Sequence, residues 1–157
     1  MHLDNEEHSH QFVRFCNFKT KNFLHTHKIK LEGKQLQEVS CCPYNSGHTL
    51  EYDVWKLQPV IGGKTNQFYL YHPFTMRYLS VESGIVCAKP EQYMWTVHSL
   101  GKRRNLCFLR FECEAGWLCM TDEKGLVKGH RQLTVCKLVH ISHLWELIFS
   151  EMADAPL

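Results

Sequence analysis

The sequence predicts an all-β chain, a β-trefoil of three repeated units and about twelve short strands related by pseudo-threefold symmetry. Three observations predict it. An aromatic–leucine pair occurs three times, as Phe23-Leu24, Tyr78-Leu79 and Trp117-Leu118. Ten residues before the aromatic member of each pair, a short alternating run begins: Val13-Arg14-Phe15, Phe68-Tyr69-Leu70 and Cys107-Phe108-Leu109. After a variable gap, each pair is followed by a tryptophan among apolar residues, Trp55, Trp95 and Trp145. A small β-unit repeated three times outranks any single motif as a guide to architecture. It also favours a binding module over an enzyme.

The first unit spans residues 12–60. An alternating strand opens it and turns through Lys19-Thr20-Lys21-Asn22 into Phe23-Leu24-His25-Thr26-His27. A loop around Glu32-Gly33-Lys34 leads to a third strand, Leu36 to Cys41. The turn-rich stretch Pro43-Tyr44-Asn45-Ser46-Gly47 precedes a fourth, Val54-Trp55-Lys56-Leu57. Gly, Asn, Pro and Lys at the breaks mark the strand ends. Ile61-Gly62-Gly63-Lys64 is a connector. The second unit, residues 67–100, is shorter; its third and fourth strands are Ile85-Val86-Cys87 and Met94-Trp95-Thr96-Val97. Gly101-Lys102-Arg103-Arg104-Asn105 is the next connector. The third unit, residues 106–149, places strands near 107–111, 117–120, 133–137 and 144–149. The segment His143 to Phe149 has a helical appearance, but it is aromatic and branched and occupies the slot of Trp55 and Trp95, so it reads as a strand. Six strands would form a barrel and six a cap, with the leucines and tryptophans as shared core. Residues 1–11 read as a flexible polar leader and 150–157 as a tail.

Composition fits one domain of ordinary size. The chain has 157 residues, 44% of them hydrophobic and 22% charged, with a formal net charge of +2. That charge builds no field for nucleic acid or anionic lipid. Lys102-Arg103-Arg104 reads as a solvated turn between repeats. No apolar stretch reaches the roughly 20 residues that span a bilayer, and residues 1–10 carry no hydrophobic signal core. The eight cysteines include no CxxC and no zinc-finger spacing. Most fall within apolar strand-like runs, so buried thiols are expected ahead of a disulfide framework. No nucleophile elbow, P-loop or zincin signature is present. Asp122-Glu123 lie in a turn before Gly125, as on a solvated hairpin.

These elements resemble MIR repeats, named for protein mannosyltransferases, inositol trisphosphate receptors and ryanodine receptors. In the first unit the resemblance rests on Phe23-Leu24-His25-Thr26-His27, Leu36-Gln37-Glu38-Val39-Ser40-Cys41, Pro43-Tyr44-Asn45 and Trp55. These are closest to the protein O-mannosyltransferase branch and its stromal-cell-derived-factor-two-like relatives. In the second unit it rests on Tyr69-Leu70-Tyr71-His72-Pro73, Thr75 and Tyr78-Leu79. In the third it rests on Leu109-Arg110-Phe111, Trp117-Leu118, Gln132 to Cys136 and Leu144-Trp145-Glu146-Leu147. It covers residues 12–149. The second and third units read Leu79-Ser80-Val81-Glu82 and Leu118-Cys119-Met120-Thr121 and lack the His-Thr-His element. Only the first unit carries it.

The resemblance implies a non-catalytic luminal module of an endoplasmic-reticulum protein O-mannosyltransferase. The parent is a multi-pass membrane enzyme moving mannose from dolichyl phosphate mannose to Ser or Thr, with its catalytic acid on another loop. The implied partners are a Ser/Thr-containing or mannosylated acceptor protein, a glycan, the parent's transmembrane domain and a partner mannosyltransferase subunit, with no nucleic acid and no cofactor. Two other readings stay open: a soluble luminal MIR protein in glycoprotein quality control, and a cytosolic or cytokine-like trefoil working by protein contacts.

Candidate ligand-binding residues are His25, His27, Gln37, Tyr44 and Asp53. On a strand His25 and His27 share a face and Thr26 takes the other. Two imidazoles so placed supply donors, acceptors and flat surfaces for sugar hydroxyls or a peptide backbone. Gln37 and Glu38 alternate, so only one accompanies the histidines, and the Gln37 amide, both donor and acceptor, is preferred. Asp53 offers acceptors for hydroxyls; Tyr44 and Tyr52 are placed to stack on a sugar face. The two histidines would admit a metal with Cys41 or Cys42, but two ligands with no third at fixed spacing do not close a site, so no metal is expected.

Overall fold

The structure, a computed structural model, describes residues 12–30, 36–43, 50–103, 106–125, 130–138 and 143–149. The expected leader and tail lie outside these residues. Twelve strands follow in chain order, four to a unit. The first unit holds β1 (Phe12–Asn17), β2 (Asn22–Lys30), β3 (Gln37–Pro43) and β4 (Trp55–Pro59), with a 3-10 turn at Leu50–Asp53. The second holds β5 (Gln67–His72), β6 (Arg77–Glu82), β7 (Ile85–Lys89) and β8 (Met94–Arg103). The third holds β9 (Leu106–Cys113), β10 (Gly116–Lys124), β11 (Arg131–Cys136) and β12 (Trp145–Phe149). The segment with helical appearance is thus a strand.

All pairing is antiparallel and divides into two layers. The first and fourth strands of every unit close a ring: β1 pairs β4, β4 pairs β5, β5 pairs β8, β8 pairs β9, β9 pairs β12 and β12 pairs β1. The second and third strands form hairpins β2–β3, β6–β7 and β10–β11. These hairpins meet across β3–β7 and β3–β11. A closed ring of six strands capped by three hairpins is the β-trefoil. Closure also removes the exposed barrel edges that would template aggregation.

The threefold pattern has a physical basis. Trp55, Trp95 and Trp145 are fully buried, as are Leu24, Leu79 and Leu118. Each indole N–H donates to the backbone carbonyl of its own unit's leucine: Trp55 to Leu24 at 3.0 Å, Trp95 to Leu79 at 2.9 Å, Trp145 to Leu118 at 3.3 Å. A buried indole N–H needs an acceptor, and the leucine carbonyl in the cap hairpin supplies it. One bond per unit therefore ties barrel to cap. Val13 and Phe15, Phe68 and Leu70, and Cys107 and Leu109 point inward to the same core, while Arg14, Tyr69 and Phe108 are half-buried on the outer face.

One boundary differs from expectation. The stretch from Gly101 is not wholly a connector, because β8 runs on to Arg103 and pairs with β9. A register shift between Ser99 and Lys102, with Gly101 at φ +121°, lets the strand bend and resume pairing. The β6–β7 turn is Ser83-Gly84, with φ of 51° and 77°. Two successive left-handed residues match the strand twist of a tight hairpin. No disulfide joins the eight cysteines, all among the described residues, and six of them are buried.

Candidate functional site

The first unit's polar cluster is built on the β2–β3 hairpin. His25 lies opposite Ser40, Thr26 opposite Val39 and Phe23 opposite Cys42. Alternation then puts His25 and His27 on one face with Cys42, Ser40 and Glu38, and Thr26 on the other with Gln37. The two histidine rings meet edge-on at 4.9 Å. The 3-10 turn at Leu50–Asp53 lies against β2 and brings two more residues to this face. Asp53 points inward, where its Oδ1 accepts the His25 Nδ1–H at 2.7 Å and the Cys42 thiol at 3.3 Å. Tyr52 points outward, its ring 5.8 Å from both His25 and His27. A fourth wall comes from the third unit: His130, just before β11, sits 4.9 Å ring to ring from His25, and its Nδ1 hydrogen-bonds Ser40 Oγ at 2.9 Å.

Burial sorts these residues into supports and surface. His25 and Asp53 are both 0% exposed, so they hold the site and do not touch a large ligand. His27 and Tyr52 are half-buried. Phe74 is 48% exposed, and its ring meets Tyr52 edge-on at 4.6 Å. His27, Tyr52 and Phe74 thus form an aromatic shelf at the surface, resting on the His25–Asp53 pair. Such a shelf offers flat apolar faces beside an imidazole donor or acceptor, which suits a sugar ring or an extended peptide.

Of the residues expected from sequence, His25, His27 and Asp53 come together. Gln37 does not join them. Its amide donates to Thr26 Oγ1 at 2.8 Å and Thr75 Oγ1 at 3.2 Å on the opposite face. Alternation was applied correctly, but the antiparallel register selects Glu38 as the companion of the histidines. Tyr44 lies outside the described residues. Glu38, His130 and Phe74 are additions. Nothing local in sequence marks His130 or Phe74, because each reaches the site only through the packing of another unit.

The Gln37 network rigidifies the back of the shelf. Thr26 Oγ1–H in turn donates a hydrogen bond to the Glu38 carbonyl at 2.6 Å. Thr75 in turn hydrogen-bonds His72 Nδ1 at 2.7 Å, and His72 Nε2 donates to the Tyr52 carbonyl at 2.9 Å. A carbonyl only accepts, so the Nε2–H tautomer is fixed and the Thr75 hydroxyl is the donor to Nδ1. Burial is the main reason the His72 pKa falls from 6.5 to about 4, opposed by the bond to the Tyr52 carbonyl. His72 is therefore neutral at physiological pH and holds Tyr52 from beneath. On this face a cavity of about 240 Å³ is lined by Lys28, Lys30, Gln37, Thr75 and Arg77. Another, about 380 Å³, lies where the second and third units meet and is lined by Tyr93, Met94, Glu112 and Glu114 among others. There Glu112 is engaged by His98 at 3.1 Å.

No family profile matches the chain, and no curated protein sequence matches it. Solved structures do. An SDF2-like protein from Arabidopsis thaliana aligns with a TM-score of 0.69 at 18% identity, over 90% of this chain and 92% of that one. The Saccharomyces cerevisiae protein O-mannosyltransferase Pmt1-Pmt2 complex bound to the sugar donor aligns with a TM-score of 0.69 at 14% identity, over 88% of this chain but 24% of that one. SeviL bound to asialo-GM1 saccharide aligns with a TM-score of 0.61 at 11% identity, over 88% of this chain and 96% of that one. At these identities the likeness is one of fold, and that fold is the β-trefoil.

Proposed function

We propose that the chain is a non-catalytic recognition module of the MIR kind, binding a glycan or a Ser/Thr-containing peptide on the shelf of His27, Tyr52 and Phe74. The observation that carries this reading is the division of labour at the shelf. The exposed Phe74 ring and the half-buried Tyr52 ring and His27 imidazole face solvent, above a buried His–Asp pair. Sites that lose little side-chain entropy on binding are pre-organised in this way. The likeness to a mannosyltransferase complex supports a luminal module that presents acceptor protein for mannose transfer, on a parent with a membrane domain. Fold alone does not assign a ligand, so the residues of the shelf carry the proposal.

A second reading is favoured by one specific observation. The chain spans 92% of the Arabidopsis SDF2-like protein and 24% of the Pmt1-Pmt2 chain. A stand-alone luminal protein that recognises glycoproteins in quality control is this second reading, supported by the likeness in fold to an SDF2-like protein. The encoded sequence on either side of residues 1–157 separates the two: flanking hydrophobic spans mean the transferase, and a signal peptide with a retention tail means the stand-alone protein.

The recognition proposal is tested by titrating mannose, mannosylated peptide and unmodified Ser/Thr-rich peptide into the chain. We expect Tyr52→Ala and His27→Ala each to weaken binding by about tenfold, the worth of one stacked ring or one buried hydrogen bond. Folding should be retained, because both side chains are half-exposed. Binding equal to wild type in the double variant would refute the assignment of the shelf.

A further inference from the structure

We propose that the cluster beneath the shelf is a zinc site, with His25, His130 and Cys42 as ligands and a fourth corner facing His27 and Glu38. The site goes beyond the recognition reading and does not depend on it. Ligand atoms of His25, Cys42 and His130 lie within 4.8 Å of one another, and all three residues are buried. Ligand atoms of His27, Glu38 and His130 also lie within 4.8 Å of one another. The two triads share His130, so five donor groups from three stretches of chain gather around that residue.

Convergence alone would be weak, but both central imidazoles are oriented from behind. Asp53 holds His25 by Nδ1, and Ser40 holds His130 by Nδ1. The Asp53 carboxylate takes the Nδ1–H of His25 and makes Nε2 its lone-pair nitrogen, and His130, with Nδ1 on Ser40, would bind a metal through Nε2. Metal-ligating histidines are held by carboxylates and other polar groups through their second nitrogen in the same way, which fixes the tautomer and raises ligand basicity. The donor set of two imidazoles, a thiol and a carboxylate suits zinc, which is borderline-soft and accepts N, S and O ligands in tetrahedral geometry. Calcium and magnesium prefer oxygen-only shells. On binding, the Cys42 thiol gives its proton to the buffer and its sulfur bonds the metal; no electrons are transferred. The thiolate, with the carboxylates of Asp53 and Glu38, then offsets the charge of the ion.

The placement also gives the metal something to do. His25 is on β2, Cys42 on β3 and His130 at the start of β11. β3 and β11 are joined by only two register pairs, Arg131 with Cys41 and Gln132 with Ser40. A zinc ion there would pin the third unit's hairpin onto the first across this short pairing. A second group, Cys119, Cys136 and His143, also brings its ligand atoms within 4.8 Å of one another. It serves as the internal control.

The test uses the full chain without a polyhistidine tag, stripped with EDTA. Zinc is titrated against a chromophoric chelator, and cobalt(II) is added as a spectroscopic stand-in. We expect one equivalent of zinc, a thiolate-to-cobalt charge-transfer band and tetrahedral d–d bands. A rise in melting temperature of about 5–10 °C is expected at zinc a hundredfold above its Kd. C42S should abolish the charge-transfer band and H130N should weaken zinc by at least about tenfold, whereas C119S should alter neither. In wild-type protein, zinc should shift the His25 and His130 ring nitrogens in long-range 1H–15N spectra, a readout that survives any folding defect of the variants. Absence of stoichiometric zinc in the folded chain would overturn the proposal. So would a charge-transfer band that persists in C42S and vanishes in C119S. Ligand titrations repeated in EDTA report on the shelf alone, so the two proposals fail separately.

Discussion

Acidification should loosen the protein through His72, by an amount the structure supplies. The ring is enclosed, and its pKa is lowered from 6.5 to about 4, chiefly because burial disfavours the charged form. The unfolded chain takes up a proton near pH 6.5 that the folded chain refuses until about pH 4. Between those values the unfolded state binds more protons, so stability falls as pH falls. At about 1.4 kcal/mol per tenfold change, the interval from 6.5 to about 4 is worth about 3 kcal/mol, of which about 2.5 kcal/mol is lost by pH 4.5. Other histidines titrate too, so the informative quantity is a difference. H72Q keeps an amide N–H near the position of Nε2, facing the Tyr52 carbonyl, and has no proton to gain. Urea unfolding of both proteins, in EDTA, at pH 7.5 and pH 4.5 gives that difference. Wild type should be the more stable at pH 7.5, and its advantage should shrink by about 2.5 kcal/mol at pH 4.5. An advantage constant within about 0.5 kcal/mol would show that His72 is not held neutral by burial, and the account of Tyr52 resting on it would fall.

Four further outcomes are expected. Trp95→Phe removes the bond to the Leu79 carbonyl and leaves a void, and should cost about 2–4 kcal/mol by urea unfolding. Trp55→Phe should behave alike if the three units share one scheme. Asp53→Ala strips the acceptor from two buried donors, His25 and Cys42, and should cost about 3 kcal/mol while also weakening ligand binding at the shelf. Gly116→Ala, at φ +135° with its new methyl driven into the Cys136 carbonyl, should lower the melting temperature by several degrees, about 2 kcal/mol or more. Burial raises the Cys16 pKa to about 11 and that of Cys41 well above its ordinary value; iodoacetamide at pH 8 should therefore leave both unmodified in native protein and alkylate them in urea.

What the sequence revealed and what it concealed divide along a physical line. Period-two alternation is a property of a single strand, so the shared face of His25 and His27 was readable. The aromatic–leucine pairs and the tryptophans were readable as core because they recur at matched places in three units. The bond from each indole to its leucine carbonyl was not, since a backbone acceptor leaves no mark in sequence. Gln37 against Glu38 turned on register. One residue of slip exchanges every side chain between faces, and only the pairing of His25 with Ser40 decides which neighbour stands beside the histidines.

His130 belongs to a different order of difficulty. It occupies the third unit, in a stretch whose sequence gives no sign of partnership with the first. Trefoil closure brings β11 against β3 and delivers His130 to Ser40 and His25. The argument that two histidines could not close a metal site was sound for one hairpin considered alone. In the folded chain the broken symmetry sets further donors, from Cys42, Glu38 and His130, beside those two histidines. Where the second and third units carry Ser80 and Cys119 in the strand after the leucine, the first carries His25. The threefold core requires the cap hairpins to converge, and whatever polar residues they carry must then meet under one another. In this chain those residues are imidazoles, a thiol and carboxylates, so the same closure that builds the barrel also assembles the cluster.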